Sequence, residues 1–347
     1  MRSLKGYGMN AQTRQRVLAL LISIIVLIGS IGILGFIWTR MSSRVAVVKP
    51  IFSATAYRDA FYTFYQRYAW VDPGTYISND LNYLNVTVKD GWGFSEGLSE
   101  FLRYSNLPAM IFDERITYIN EIDVIEGALF NGARRAFDIL ILGFTEYVTQ
   151  EEYTAYKTFV VKGGLLILVD ACNFLAEVKY YPPEPPDQQG YLSLVKGHGW
   201  EFNGTHAWKS VYHRWPEENR NWVGSNYWKF WRGSHYDQFI ANTSHQISTY
   251  LKDNYGEAID TEYGAHEENK LENFTNTEII GYWNFINWSE APEDPIVAYQ
   301  HWYVDGSVIH TGILASRWVD KERYLMDFIV SAIRLGLVGE VSDWMWI

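Results

Sequence analysis

Two short polar runs follow two apolar segments near the middle of the chain, and they carry the residues best suited to chemistry. Glu146 and Tyr147 follow the first segment, and Asp170, Asn173 and Glu177 follow the second. Carboxylates and phenols can transfer protons or bind metal ions, and an amide can orient a substrate. We expect Glu146, Tyr147, Asn173 and Glu177 to form a candidate catalytic site. Capping of a loop end, or simple contact with water, is the alternative that the sequence leaves open for each.

The segment 137–173 has the pattern of a strand, a helix and a second strand. Ile139 to Leu142 is a short apolar run that is typical of a buried strand. Thr149 and Glu152 have the spacing of a capping box, which predicts the start of a helix. Leu165 to Val169 is a second apolar run after a Gly-Gly turn. These elements predict a right-handed parallel βαβ unit.

Parallel strands end at one edge of a sheet, so the two polar runs should converge there. Strand and helix patterns alternate along most of the chain, which predicts an α/β fold of three layers. We expect a mainly parallel, flavodoxin-like sheet flanked by helices in one domain, residues 44–338. A Trp/Tyr-rich insertion of loops and short strands is expected at about 180–290. A hairpin is expected around Val304 to Gly306, and residues 339–347 form a tail.

The body of the protein is acidic and rich in aromatic residues. The formal charge is −11, and residues 50–347 hold about −18 because the first 49 residues carry only bases. This charge argues against nucleic acid as a partner. Aromatic residues make up 17% of the chain, with 15 Trp. They fit either a thick aromatic core or a platform that stacks on ligands or glycans.

An uncharged stretch of 22 residues, 17–38, is long enough to span a bilayer. We expect an uncleaved transmembrane anchor preceded by a cytoplasmic tail, residues 1–16. The predicted location is the cell membrane, with a single pass, a cytoplasmic N-terminus and an extracellular main domain. Other cell-envelope proteins are possible partners.

Five Asn residues stand in the pattern Asn-x-Ser/Thr, and all of them follow the apolar stretch. We therefore expect N-linked glycans as partners of the exported body, with some of these sites serving only as turn residues. The sites are Asn85, Asn203, Asn242, Asn273 and Asn287.

Other reactive side chains give weaker signals. Cys172 is the single cysteine, and it lacks the small flanking residues of a nucleophile elbow, so a buried structural thiol is favoured over a nucleophile. The eight histidines form no HExxH pattern, and no Walker A or G-x-G-x-x-G motif supports nucleotide binding. His310 lies in an apolar strand, which favours a hydrogen-bonded core histidine.

The segment FDILILGFTEYVTQEEYTAYKTFVVKGGLLILVDACNF, residues 137–174, resembles the class I glutamine-amidotransferase-like fold. It looks more closely like the C-terminal domain of the N,N-dimethylformamidase large (beta) subunit and its membrane-anchored archaeal relatives. Thr145 to Val148 match in part a His-Pro-Glu-Tyr-Trp-like motif, and Cys172 to Phe174 match in part a Gly-Gly-Asn-x-Phe-like motif. The segment from Leu194 to Tyr227 resembles a signature of the archaeal branch. The resemblance covers roughly residues 110–320.

The formamidase family implies a hydrolase with one iron ion held by two tyrosines and a glutamate. The resemblance aligns Tyr147 with one of these tyrosines, and it makes Glu177 a candidate carboxylate ligand. Tyr118 or Glu218 could supply a further ligand. Iron held in this way would act as a Lewis acid on an amide carbonyl.

Two hypotheses of function remain open. The first is a glycosylated cell-surface domain without catalysis, which serves the envelope or binds a ligand. It gains weight because the His-Pro and Gly-Gly pairs of the family motifs are lost here. The second is an exported amidohydrolase that uses a metal bound by Tyr and Glu. A cluster of Tyr and carboxylate groups in a crevice would favour the enzyme.

Overall fold

The structure is a computed structural model of the chain, which divides into the compact units 1–43 and 44–347. The residues that it describes are Ser23 and residues 44–58, 85–104, 116–184, 189–196, 213–230, 237–262, 267–285, 296–339 and 341.

The second unit contains seventeen described strands, several of them only two or three residues long. In chain order they are β1 Val45–Lys49, β2 Asn85–Thr87, β3 Ile116–Asn120, β4 Phe130–Asn131, β5 Arg134–Arg135, β6 Ile139–Leu142, β7 Tyr147–Val148, β8 Leu165–Leu168, β9 Ala176–Tyr181, β10 Tyr191–Lys196, β11 Ser225–Phe230, β12 Asp237–Ile240, β13 Ala258–Asp260, β14 Glu267–Leu271, β15 Thr277–Phe285, β16 Ile296–Tyr303 and β17 Gly306–His310.

Seven α-helices are described in the same unit, and a 3₁₀ turn at Gly93–Ser95 leads into the second of them. In chain order they are α1 Ile51–Arg58, α2 Glu96–Tyr104, α3 Glu121–Ile125, α4 Gln150–Val161, α5 Pro216–Trp222, α6 Gln246–Tyr255 and α7 Arg323–Val338.

Nine strands form one large mixed sheet in the order β13-β12-β15-β16-β17-β8-β6-β1-β3. The five strands from β17 to β3 are parallel to one another. The four strands from β16 to β13 pair in antiparallel fashion. The prediction of a mainly parallel, flavodoxin-like sheet is therefore wrong, because the sheet is mixed.

The error has a physical cause in the region predicted as an insertion. The hairpin predicted around residue 305 is confirmed, and it reverses the chain so that β16 runs antiparallel to β17. Strands β12, β13 and β15 come from the region predicted as an insertion of loops and short strands, yet they extend the same sheet beyond β16. Of the other strands of that region, β10 joins the small sheet β2-β10-β9-β7, and β11 and β14 pair in a separate two-stranded sheet.

Each face of the large sheet carries its own apolar core. Alternate residues of the central parallel strands, such as Val45 and Ile139, pack with helices α2, α6 and α7. Their neighbours, such as Ala46 and Leu140, pack with helices α3, α4 and α5. This alternation follows from the two-residue repeat of a strand, because successive side chains point to opposite faces.

The predicted βαβ unit is confirmed. Strands β6 and β8 are parallel neighbours, and α4 connects them. Thr149 and Glu152 form the expected capping box, since each side chain accepts a hydrogen bond from the other residue's main-chain amide, at 3.1 and 2.8 Å. Helix α4 therefore begins where the sequence predicts.

The predicted single-pass membrane location is corrected. Among the residues that the structure describes, no helix is both long enough and apolar enough to cross a bilayer. The stretch 17–38, on which the prediction rested, lies outside the described residues except for Ser23. We do not retain that location.

Candidate active site

A cleft of about 540 Å³ lies beside the ends of the parallel strands. One part of its wall comes from α1, which directly follows β1, and another comes from residues 317–321, which follow β17. The start of α2 completes the wall. This location agrees with the general rule that open α/β sheets bind ligands beyond the carboxyl ends of their strands.

Tyr57 connects this cleft to the protein interior. Its side chain lines the cleft, while its hydroxyl donates a hydrogen bond of 2.5 Å to Oε2 of the fully buried Glu146. Phe94 and Phe144 hold the ring by edge-on contacts, with centroids 5.0 and 5.2 Å away. Burial raises the pKa of Tyr57 well above its usual value, and the charge of Glu146 raises it further. Tyr57 therefore keeps its proton at neutral pH.

Helix α1 also holds the main chain beneath this pair. Ser53 lies one turn before Tyr57, and its hydroxyl accepts hydrogen bonds from the main-chain amides of Glu146 and Tyr147, at 2.9 and 3.0 Å. One helix thus positions both the backbone and the carboxyl group of Glu146.

A second buried acidic pair lies close to the first. The thiol of Cys172 donates a hydrogen bond to the carboxyl group of Glu267, which comes from β14. Burial is the main cause that raises the pKa of Glu267 to about 8, and the charges of Glu146 and Asp170 add to it. Burial likewise raises the pKa of Tyr227, with Glu267 as the largest charged contributor. Glu267 and Tyr227 thus belong to a buried cluster behind the cleft whose raised pKa values favour the protonated forms.

Asn173 ties the two strand ends together. Its Oδ1 accepts a hydrogen bond of 3.2 Å from the amide of Thr145, and its Nδ2 donates to the main-chain oxygen of Asp170. The carboxyl group of Asp170 accepts a bond of 2.8 Å from the amide of Ser316, and burial raises its pKa to about 7. Asn173 thus bonds to Thr145 in the segment after β6, and Asp170 bonds to Ser316, which directly precedes the wall residues 317–321.

The other two predicted site residues lie in the small sheet. Tyr147 packs among apolar residues of α1 and β9, and its ring lies 6.1 Å from that of Tyr57. Glu177 forms an ion pair with Arg214. In the parallel pairing of β7 with β9, Tyr147 is opposite Ala176 while Glu177 is opposite Val148. Tyr147 and Glu177 therefore point to opposite faces of the sheet, and the structure does not bring them together.

The residues do not fit the iron that the family resemblance implies. The predicted ligands Tyr147 and Glu177 diverge, and within the described ranges no group of three or more His, Cys, Asp or Glu side chains could hold a metal ion. The two further candidates, Tyr118 and Glu218, are exposed side chains on β3 and α5.

Four of the eight histidines are described, and all four are buried. His310 is a hydrogen-bonded core histidine, as predicted, because it contacts Asn269 and the amide of Gly312 at 2.7 Å each. Burial lowers the pKa of His310 to about 3, so this ring stays neutral.

The described tryptophans of the aromatic region lie mostly in the core. Trp215 stacks on Tyr153 at 4.2 Å, and the indole N–H of Trp222 donates a bond of 2.8 Å to the same tyrosine hydroxyl. Both indoles are almost fully buried. They therefore pack helices α4 and α5 together and are not available to stack on a ligand.

The predicted glycosylation sites differ in their surroundings. Asn242 is exposed, Asn273 is half-buried in a turn, and Asn85 begins β2. Asn203 and Asn287 lie outside the described residues. Glycosylation remains a prediction.

One motif in the cleft wall resembles a nucleophile elbow in sequence only. Residues 93–97 read Gly-Phe-Ser-Glu-Gly, which matches G-x-S-x-G. Ser95 is fully buried, however, and its hydroxyl accepts hydrogen bonds from the amide of Phe144 and the hydroxyl of Ser316, at 2.8 and 3.2 Å. Ser95 therefore joins wall segments and does not face a substrate.

Sequence reasoning missed Tyr57, Ser53, Glu267 and Tyr227. Tyr57 and Ser53 stand directly after the first strand, so the rule that locates sites at strand ends could have found them. Glu267 and Tyr227 had no such signal, because they reach the site through the antiparallel pairing of β11 with β14.

No protein-family model and no curated protein sequence matches the chain. Among solved structures, a catalytic mutant of a GH42 β-galactosidase from G. stearothermophilus is 12% identical, with a TM-score of 0.44, over 83% of this chain and 29% of that one. A ThuA-like protein from Parabacteroides merdae is 11% identical, with a TM-score of 0.42, over 72% of this chain and 88% of that one. The chain spans less than a third of the length of the β-galactosidase, and similarity at these TM-scores supports no assignment of function.

Proposed function

We propose that the chain is a hydrolase that cleaves an amide-type bond of a small molecule by proton transfer through Tyr57 and Glu146. The observation that carries this proposal is the 2.5 Å hydrogen bond from Tyr57, which lines the cleft, to the buried carboxylate of Glu146. The resemblance of residues 137–174 to the formamidase family supports an amide as the bond that is cleaved.

The pair can move a proton without leaving Tyr57 ionised. As a water molecule in the cleft adds to a carbonyl carbon, the C=O π bond opens to an oxyanion, the water proton passes to the Tyr57 oxygen, and the Tyr57 proton passes to the Glu146 carboxylate. When the oxyanion re-forms the carbonyl, the C–N bond breaks and the reverse transfer delivers the proton to the leaving nitrogen, so Tyr57 and Glu146 return to their first state. The raised pKa of Tyr57 suits this relay, because the phenol passes a proton on and does not remain ionised.

Two features favour this enzyme over a domain that only binds. A buried carboxylate costs folding free energy, so a buried group with a hydrogen-bonded path to a cleft is typical of a functional site. In addition, Trp215 and Trp222, which could have formed part of a binding platform, lie in the core, and Trp228 alone among the described tryptophans of residues 191–289 is exposed.

We derive no step through the implied iron, because the predicted ligands do not meet. Metal analysis of the purified full-length chain tests that part of the resemblance by itself.

The activity test compares two Tyr→Phe variants of the full-length chain on a panel of small formamides and acetamides. Tyr57→Phe removes the relay, so we expect its kcat to fall by about 10²- to 10⁴-fold, the usual contribution of a proton-transfer group. Tyr118→Phe is the matched control, because Tyr118 is exposed on β3 and does not line the cleft. Its kcat should not change.

Glu146→Gln should lose as much activity as Tyr57→Phe, and the double variant should lose little more, because the two residues act as one unit. Wild-type protein without amide hydrolysis, or a Tyr57→Phe variant that keeps full kcat, would overturn the proposal.

A further inference from the structure

The cleft carries charges of both signs that do not neutralise one another. Arg317 lies in the wall segment after β17, and Glu96 and Glu100 lie on α2; all three side chains are exposed. Within the described part of the chain, none of these three side chains takes part in an ion pair. Arg317, Glu96 and Glu100 therefore offer a ligand one cation and two anions that no described residue pairs with, in a wall that also contains Asp320 and Lys321.

Two aromatic rings hold Arg317 in place. Its guanidinium carbon lies 5.7 Å from the ring centroid of Phe94 and 4.7 Å from that of Trp318. Contact with a ring uses the flat face of a guanidinium and leaves its N–H groups at the edge for hydrogen bonds. A carboxylate is the planar anion that this edge fits best, because it can accept two parallel bonds.

Glu96 and Glu100 are one helical turn apart and share a face of α2. Gly97 lies between them, and its lack of a side chain lets the wall residues 317–321 approach α2 closely. A Cβ at Gly97 would lie only 2.5 Å from the carbonyl oxygen of Arg317 and 2.5 Å from Oδ1 of Asp320. The two wall segments are thus in direct contact, which sets the spacing between the acidic groups and Arg317.

We infer that the cleft binds a small zwitterion whose carboxylate contacts Arg317 and whose ammonium group contacts Glu96 and Glu100. The volume of about 540 Å³ accommodates an α-amino acid with a large side chain or an amide of similar shape. The inference depends on the proposed function only for cleavage of the bound molecule, because binding itself needs no proton transfer.

Calorimetric titration of the full-length chain with three related probes tests this ligand class. L-phenylalanine carries both charges, L-phenylalaninamide carries only the ammonium, and N-acetyl-L-phenylalanine carries only the carboxylate. Loss of one charge-assisted contact should weaken binding at least about tenfold, so the zwitterion should bind tightest.

Charge-removing variants separate the two contacts. Arg317→Gln should weaken the zwitterion and the N-acetyl compound at least about tenfold and leave the amide unaffected. Glu96→Gln combined with Glu100→Gln should weaken the zwitterion and the amide and leave the N-acetyl compound unaffected. Arg103→Gln is the control, because Arg103 is an exposed arginine of the same helix that does not line the cleft.

The outcomes distinguish this inference from the proposed function. Equal affinity for the three probes, no binding of any probe, or an Arg317→Gln variant that binds all three normally would overturn the zwitterion site. Binding of the zwitterion by a wild-type chain that hydrolyses no amide would support the site and overturn only the hydrolase.

Discussion

The hydroxyl of Ser53 accepts a hydrogen bond of 2.9 Å from the main-chain amide of Glu146. It accepts a second bond, of 3.0 Å, from the amide of Tyr147, so one side chain satisfies two successive donors in the buried segment after β6. Because Tyr57 lies on the same helix, any shift of that segment changes the distance between the Glu146 carboxylate and the Tyr57 hydroxyl. Ser53 is therefore a positioning residue for the proposed relay.

We predict that Ser53→Ala lowers kcat for amide hydrolysis more than it changes KM, because the relay is displaced while the cleft remains. It should also lower the free energy of unfolding by about 1–3 kcal/mol, the cost of leaving buried donors without an acceptor. Thr55→Ala is the matched control, because Thr55 on the same helix accepts a 2.9 Å bond from the amide of Lys89, outside the site. A similar loss of kcat in both variants would show that Ser53 is only structural.

The stability of the fold should fall as the pH rises from about 6.5 to 8. Burial raises the pKa of Glu152 to about 8, and burial together with the charge of Glu152 raises the pKa of Glu121. The folded state therefore binds more protons than the unfolded state in this interval, so the free energy of unfolding falls as the pH rises. The lowered pKa of His310 makes the free energy of unfolding rise with pH, but only below the pKa of histidine in the unfolded chain, about 6.5.

Glu152→Gln should reduce this slope, because glutamine keeps the capping geometry but does not ionise. For Glu152 alone the difference between pH 6.5 and 8 is about 2 kcal/mol. Urea unfolding at the two pH values measures it, with the exposed Glu151→Gln as the control. A wild-type unfolding free energy that is constant or rises over this interval would contradict the prediction.

The parts of the fold that could be predicted are those specified by neighbouring residues. The unit from Ile139 to Leu168 follows from two apolar runs and from the capping pair of Thr149 with Glu152, all within one short segment. The β16–β17 hairpin likewise follows from a turn between two apolar runs. In both cases the hydrogen bonds and the sequence signals involve the same residues.

The rest depends on contacts between distant parts of the chain. Strand β15 pairs with β12, whose residues lie more than 40 positions earlier in the chain, so the antiparallel half of the sheet could not be predicted from neighbouring residues. At the site, Glu146 was predicted from its strand end, but its partner Tyr57 lies 89 positions earlier. Glu177 was predicted by the same rule, and the pleat of the small sheet turns it toward Arg214 instead.

The thiol of Cys172 should be unreactive in the folded protein. The residue has no exposure to solvent, and burial, with the charge of Glu267 next, raises its pKa well above the usual value. A thiol must ionise and be reached by the reagent in order to react. We expect an aromatic disulfide reagent to label the native chain very slowly and the urea-unfolded chain stoichiometrically. Rapid labelling of the native chain would instead support a reactive cysteine.

Gly97→Ala should destabilise the fold and weaken binding in the cleft. The new methyl group would lie 2.5 Å from a main-chain oxygen of Arg317, which cannot move without shifting the wall. Gly336→Ala is the matched control, because it is also a helical glycine whose Cβ would lie 2.5 Å from a neighbour, but that neighbour is the flexible end of Leu165. We expect Gly97→Ala to cost about 1–3 kcal/mol, the usual range for overpacking, and Gly336→Ala to cost less. Urea unfolding measures both, and equal costs with unchanged ligand affinity would show that the wall adapts to the added methyl group.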